Sequence, residues 1–300
     1  MLYTLDGNPG PREREIPEAA GYRGSRPVRV GNAASQQHQL DVYGWVLDAA
    51  WGMVRSGRRL HGETWRGMSG LADFVAESWT RPDASIWEVR GEERHYVHSK
   101  LMGWLALDRA VRIAGTHGTR RRRVERWQTE RDTLAADVRA RGFDPRRGSY
   151  VRSYGAADLD AALLLLPALG FEEPGSPRLQ GTVSAIRADL ATGPFVYRYH
   201  LSEAEAGTEG AFLACSFWLV DALARLGRVG EAAEVFERVL AHANDLGLFA
   251  EEMDPATAEH LGNFPQGLTH AALIQAALSL RAAVAQGEGG PRPPSPTPRA

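Results

Sequence analysis

The stretch AFLACSFWLVDALARLGRVGEAAEVFERVLAHAN, residues 211–244, decides the fold class. It reads as two helices, Ala211 to Leu226 and Gly230 to Asn244, joined by a turn at Gly227. Its first half is so apolar that Cys215, the single cysteine of the chain, is expected in a buried packing role rather than as a reactive thiol. A lone cysteine also excludes an internal disulfide framework, which fits a reducing compartment.

Outward from this hairpin the same alternation continues. Downstream, a final helix is predicted from about Gly267 to Ala285, and residues 287–300 are mostly Gly, Pro, Ser and Thr, a disordered tail. Upstream, Leu40, Tyr43, Val46, Leu47 and Trp51 recur at helical spacing and predict a helix from about Gln36 to Gly57. A second runs from about Gly62 to Trp79 with Trp65, Met68, Leu71, Phe74 and Val75 on its apolar side. Others follow from His95 to Ala114, Val124 to Arg141, Asp158 to Leu169 and Thr182 to Leu190. Residues 1–34, rich in Gly, Pro and charge, form an extended lead-in to a helical domain spanning 35–286. The expectation is an all-α chain of about nine helices with hardly a strand. Loops after alternate helices carry carboxylates and aromatics, and the turns between are short. A ring of paired helices with its working loops at one end produces this asymmetry. An open solenoid gives a similar pattern, but no period holds along the chain.

Composition excludes several classes. A net charge of −2 gives no electrostatic reason to bind nucleic acid or an anionic membrane. No basic-then-apolar signal opens the chain and no run of about 18 apolar residues is seen, so the expected location is cytoplasmic. The one basic cluster, Arg120 to Arg123, is followed by Glu125, Glu130 and Asp132 and reads as a solvated helix start rather than a phosphate patch.

Two loop stretches carry the chemistry: Ser85-Ile86-Trp87-Glu88-Val89-Arg90-Gly91 and Leu248-Phe249-Ala250-Glu251-Glu252-Met253-Asp254. Hydrolysis of a glycosidic bond with inversion needs an acid at the leaving oxygen and a base that activates water on the opposite face. Glu88 beside Ile86 and Trp87 suits the acid, with Trp87 able to stack on a sugar ring. Glu251 suits the base. The plainer alternatives are a surface Glu88 paired with Arg90 and a solvated turn at Glu251-Glu252. Arg198, Tyr199, Glu209, Phe264 and its neighbours Asn263 and Gln266 are loop groups suited to sugar hydroxyls and pyranose faces. His95 and His98 stand three apart, but no His-Glu-x-x-His pattern accompanies them, so a structural role is expected and no metal or cofactor is assigned.

Taken together, these segments resemble glycoside hydrolase family 15, the glucoamylases and bacterial trehalases. The matching runs are Gly31-Asn32-Ala33-Ala34, Gln39 to Gly44, Ser85 to Glu88 with Arg90, Arg198-Tyr199, Glu209 to Phe212, Phe249 to Glu252, Leu261 to Gln266, and His270. The resemblance implies an (α/α)6 toroid-like barrel, with Glu88 as general acid and Glu251 as general base. It implies that Trp87 and Arg198 line the sugar site, and Arg90, Tyr199, Glu209, Phe264 and His270 join them as substrate-binding candidates. Inversion implies carboxyl groups roughly 6.5–9.5 Å apart. The run from Trp87 to Lys100 is closer to bacterial trehalases, so a small carbohydrate is the expected partner, trehalose before maltooligosaccharides. The family's Trp-x-Arg-Asp motif, which grips the non-reducing glucose, is not found here. The reading therefore expects an incomplete barrel, truncated at its N-terminal side and open to self-association or to a missing N-terminal segment. The alternative is a catalytically impaired fragment or a non-catalytic helical binding or scaffold protein of the same family.

Overall fold

The computed structural model describes residues 4–6, 8, 10, 12–200 and 209–287. Residues 288–300 of the predicted tail and residues 201–208 lie outside the described residues.

Nine α-helices occur among the described residues: α1 (Asp41–Arg55), α2 (Gly62–Ser78), α3 (Val97–Ala114), α4 (Arg121–Arg141), α5 (Leu166–Leu169), α6 (Pro177–Leu190), α7 (Leu213–Arg225), α8 (Val229–Leu240) and α9 (Gly267–Gly287). The odd-numbered helices form an inner row and the even-numbered ones an outer row. Helix α3 is buried without a break from Val97 to Asp108, and α7 from Leu213 to Ala224. Such all-round burial requires neighbours on every side. Helix α3 packs on α1, α2 and α4, while α7 packs on α8, α9 and the 3-10 turn Ala161–Leu165 that precedes α5. Two glycines make the α1–α3 approach possible. A Cβ on Gly44 would lie 2.6 Å from the Met102 carbonyl oxygen, and one on Gly103 would lie 3.0 Å from Leu40. All five inner elements line one cavity of about 760 Å³, which includes Trp45, Trp51, Leu165, Trp218 and Ala272, with Ile86 from the α2–α3 loop also on its wall. This is the all-α, (α/α)6-type architecture, with five inner and four outer helices among the described residues.

The expected asymmetry of the two ends is present. Residues 56–61, 115–120, 170–176 and 226–228 make the short turns at one end, and 79–96, 142–165, 191–200 with 209–212, and 241–266 belong to the long loops at the other. Strands are two residues long. The largest set is an antiparallel ribbon of Ala211–Phe212, Glu252–Met253 and His260–Leu261, in which Phe212 pairs with Glu252 and Ala211 with Met253. In the lead-in, Arg14–Glu15 pairs with Arg29–Val30.

Several expectations change in detail. The first helix starts at Asp41, because residues 33–36 form a separate 3-10 turn capped by Asn32. The helix predicted over 158–169 is a 3-10 turn followed by a single α turn. Pro167 has no N–H to continue the ladder, and Gly170 ends the turn in the left-handed region at φ +75°. Helix α2 buries Trp65, Ser69, Ala72, Val75 and Ala76, and leaves Phe74 37% exposed. Met68 and Leu71 of the expected face are partly buried against the core, so Phe74 is the one residue of that face that departs from it. The last helix has no unbroken apolar run of membrane length, since Thr269, His270, Gln275, Ser279 and Arg281 interrupt it. Residues Gly267–Gln286 of α9 reach a mean hydropathy of 1.3 over a spanning length. That helix, α9, packs on α7 and α8 and buries Ala272 and Ala276. Cys215 is fully buried on α7, where loss of solvation holds its thiol pKa well above the ordinary range. His98 is likewise buried on α3, with its pKa lowered to about 4 by burial, and His95 stacks on Tyr154 with ring centroids 5.7 Å apart.

Candidate active site

The α2–α3 loop is pinned at both ends. Asp83 and Arg94 exchange backbone hydrogen bonds of 2.9 and 3.0 Å, and the Ala84 N–H donates to the His38 carbonyl at 2.9 Å. Inside it the Val89 N–H closes a tight turn on the Ala84 carbonyl at 2.9 Å. Ser85 and Glu88 take left-handed backbone angles, φ +67° and +53°, which side chains other than glycine and asparagine rarely adopt. Strain of this kind persists only where surrounding contacts over-determine it. Those contacts come from the strap before α1. Gln37 Nε2 donates to the Val89 carbonyl at 3.0 Å, and Asn32 Nδ2 donates to Glu88 Oε2 at 2.9 Å.

Trp87 turns the other way, into the protein. Its indole N–H donates to Asp160 Oδ1 at 2.9 Å, its ring meets Phe212 edge-on at 5.4 Å, and Trp218 lies 5.9 Å away. Arg198 stands over the same ring at 5.4 Å and over Phe212 at 5.3 Å, a cation–π arrangement on two faces. It forms an ion pair with Glu209. Tyr199 sits under Arg152, 3.7 Å from its ring centroid. Sequence reasoning thus chose four residues, Trp87, Arg198, Tyr199 and Glu209, that the fold brings into one cluster, with Arg198 in contact with each of the other three.

The α8–α9 loop supplies the second carboxylate. Phe249 and Ala250 are buried and anchor the loop on the core. Glu251 exchanges backbone bonds with its surroundings: its N–H donates to the Asn263 carbonyl at 2.9 Å, and its carbonyl accepts from Leu213 N–H at 3.0 Å. Glu251 Oε2 accepts from the Asn263 N–H at 3.0 Å and from Asn263 Nδ2 at 2.8 Å. Glu252 is paired with Phe212 and accepts from the Gly210 N–H at 2.9 Å. Burial, then the anions of Glu209 and Glu251, raises the pKa of Glu252. The two loops are therefore joined through one residue: Trp87 packs on Phe212, and Phe212 pairs with Glu252.

Three sequence candidates sit apart from that cluster in their contacts. Arg90 is held in a two-pronged ion pair by Glu13, at 3.0 and 2.8 Å. His270 braces the loop, with Nδ1 donating to the Gln266 carbonyl at 2.7 Å and Nε2 accepting from Phe249 N–H at 3.4 Å. Phe264 is half exposed beside His260. Two residues were not anticipated, Asp160 and Trp218. The available signal for the first was a charged residue inside the apolar run Leu159 to Leu166. Among the described residues no group of three or more His, Cys, Asp or Glu side chains could hold a metal ion.

The profile of glycosyl hydrolases family 15 matches residues 1–278. The chain belongs to this family. Among family 15 relatives, the trehalase of Mycolicibacterium smegmatis is 40% identical over 279 residues, which is 92% of this chain and 42% of that enzyme. The chain thus spans less than half the length of that relative. Among solved structures, a glycosidase superposes with a TM-score of 0.72 at 22% identity, covering 94% of this chain and 72% of its own. A bacterial glucoamylase complexed with acarbose superposes with a TM-score of 0.67 at 16% identity, covering 81% and 41%. At these identities the two structures speak to the fold, and both agree with the helical barrel of family 15.

Proposed function

We propose that the protein is a glycoside hydrolase that cleaves α-glucosidic bonds, trehalose first and maltooligosaccharides second. Glu88 acts as general acid and Glu251 as general base of an inverting reaction. The observation that carries this reading is the matched setting of the two carboxyl groups. Each has its Oε2 held by an asparagine amide, Asn32 for Glu88 and Asn263 for Glu251, and each Oε1 makes no hydrogen bond to the described residues. A general acid and a general base need that division: one oxygen fixed for aim, the other free to exchange a proton. In the adjoining cluster, Trp87, Arg198, Tyr199 and Glu209 offer aromatic and charged hydrogen-bonding groups to a sugar. The trehalase relative supports trehalose as the first substrate to try.

In the reaction, Glu251 removes a proton from water as its oxygen attacks the anomeric carbon. Glu88 delivers its proton to the leaving glycosidic oxygen on the opposite face, and the carbon–oxygen bond breaks with inversion. Glu88→Gln leaves no proton to deliver and should abolish glucose release from trehalose and maltose. In wild type, NMR in the first minutes should detect one β- and one α-glucose from each trehalose, before mutarotation mixes them. Equal release by wild type and variant would sink the assignment. No hydrolysis by either, with sugar binding retained, would instead support a non-catalytic binding protein of the family.

A further inference from the structure

Asp160 is 1% exposed and lies in an otherwise apolar run at the entrance to the 3-10 turn Ala161–Leu165. Its Oδ1 accepts two bonds, from the Ala162 N–H at 2.8 Å, capping the turn, and from the Trp87 indole N–H at 2.9 Å. The next residue, Ala161, donates its N–H to the Arg198 carbonyl at 2.8 Å. One turn therefore holds the side chain of Trp87 and the main chain at Arg198, the two groups that stack on each other in the site. The second oxygen, Oδ2, is buried without a hydrogen bond. Burial raises the carboxyl pKa to about 6, against the pull of the two donors and of Arg152. A serine would cap the same turn without burying a carboxylate. The extra reach of aspartate serves one thing visible here, the bond to Trp87.

We propose that Asp160 is a positioning residue: its bond to the Trp87 indole fixes the ring against Phe212 and, through the adjoining backbone, fixes the aim of Glu88. The proposal rests on the reading of Glu88 as the acid. The left-handed backbone at Glu88 gives the bond its leverage. Once the indole is free to turn, the strained segment can relax toward ordinary angles and carry the carboxyl group out of line.

The test pairs Asp160→Ser, which retains a cap for Ala162 but is too short to reach the indole, with Trp87→Phe, which removes the donor and keeps a ring. Each should lower kcat on trehalose roughly 10- to 100-fold. The double variant should be little worse than the worse single one, because both remove the same bond. Asp160→Asn keeps an acceptor and should recover most of the rate. The Trp87 indole 1H–15N resonance, assigned by its loss in Trp87→Phe, should move in Asp160→Ser and stay near its place in Asp160→Asn. Wild-type kcat in Asp160→Ser, or additive losses in the double variant, would overturn the positioning role alone. A wild-type chain that releases no glucose from trehalose or maltose would overturn the glycosidase reading and the kinetic role with it. If Asp160→Ser does not fold, Trp87→Phe and Asp160→Asn still decide the matter: unchanged kcat in Trp87→Phe, or a rate in Asp160→Asn as low as in Trp87→Phe, refutes the proposal.

Discussion

Replacing Gly262 by alanine should disable the Glu251 carboxyl group without touching it chemically. Gly262 has φ +70°, and a Cβ there would lie 2.9 Å from Glu251 Oε2 and 3.0 Å from Glu251 Cβ. The left-handed angle alone costs an L-residue about 1–2 kcal/mol. For a domain of this size, that lowers the melting temperature by about 2–8 °C. The contact adds a second effect. The carboxyl group must swing away, which breaks its bonds from the Asn263 N–H and Nδ2, at 3.0 and 2.8 Å. A displacement of that size at a reacting group costs about 100-fold in rate. The assay is glucose release from trehalose at saturating substrate, with a thermal melt on the same sample. Gly262→Asn separates the two effects, since asparagine tolerates the left-handed region but still carries a Cβ. It should recover part of the melting temperature and little of the rate. Wild-type turnover in Gly262→Ala would refute the idea that Glu251 needs this exact glycine-bounded setting, and with it the role of Asn263 as the group that aims the base.

Two further outcomes follow from the strap before α1. Asn32→Ala removes both the cap on Ala34 and the donor to Glu88 Oε2. It should cost about 1 kcal/mol in stability and roughly 10-fold in kcat, readable by denaturant melts and initial rates; unchanged kcat would argue against any role for Asn32 in aiming Glu88. Asp41 is buried at the start of α1, and burial first, then the nearby Asp83 carboxylate, pushes its pKa up to about 7. The folded state therefore holds this proton more tightly than the unfolded chain. The stability linked to it is complete below about pH 4 and is lost as pH rises toward 7, on the order of 4 kcal/mol in all. Lys100 interacts electrostatically with both Asp83 and His38 in the same region. Asp41→Asn should melt higher than wild type at pH 8, with the gap closing toward pH 4. A gap that does not change with pH would refute it.

The helical frame was legible in the sequence because local patterns carry it. The largely apolar run from Ala211 to Leu226 points to a buried helix, and α7 is buried from Leu213 to Ala224 as that pattern requires. The alternation of plain turns and residue-rich loops likewise reads directly as two ends with different tasks. Faces were less legible. In α2 four of the five large residues at helical spacing, Trp65, Met68, Leu71 and Val75, do pack on the core, while Phe74 is left partly exposed, and the small residues Ser69, Ala72 and Ala76, which a reading of large side chains passes over, are buried as well.

The residue types of the site were visible one loop at a time, as Glu88 beside Trp87 and Glu251 beside Phe249. Their partners were not. Asn32 lies 56 positions from Glu88 and Asp160 lies 73 from Trp87, so no local pattern joins them. Sequence by itself determined most of the helical segments, which connections are long and residue-rich, and which carboxylates are candidates, because propensity and hydrophobic period act over a few residues. Only the tertiary structure decided that Arg90 answers to Glu13, that Trp87 hangs from a buried aspartate and that Phe212 links the two acidic loops. Those are contacts between distant parts of the chain, and they exist only once the inner helices have packed and set the loops against one another.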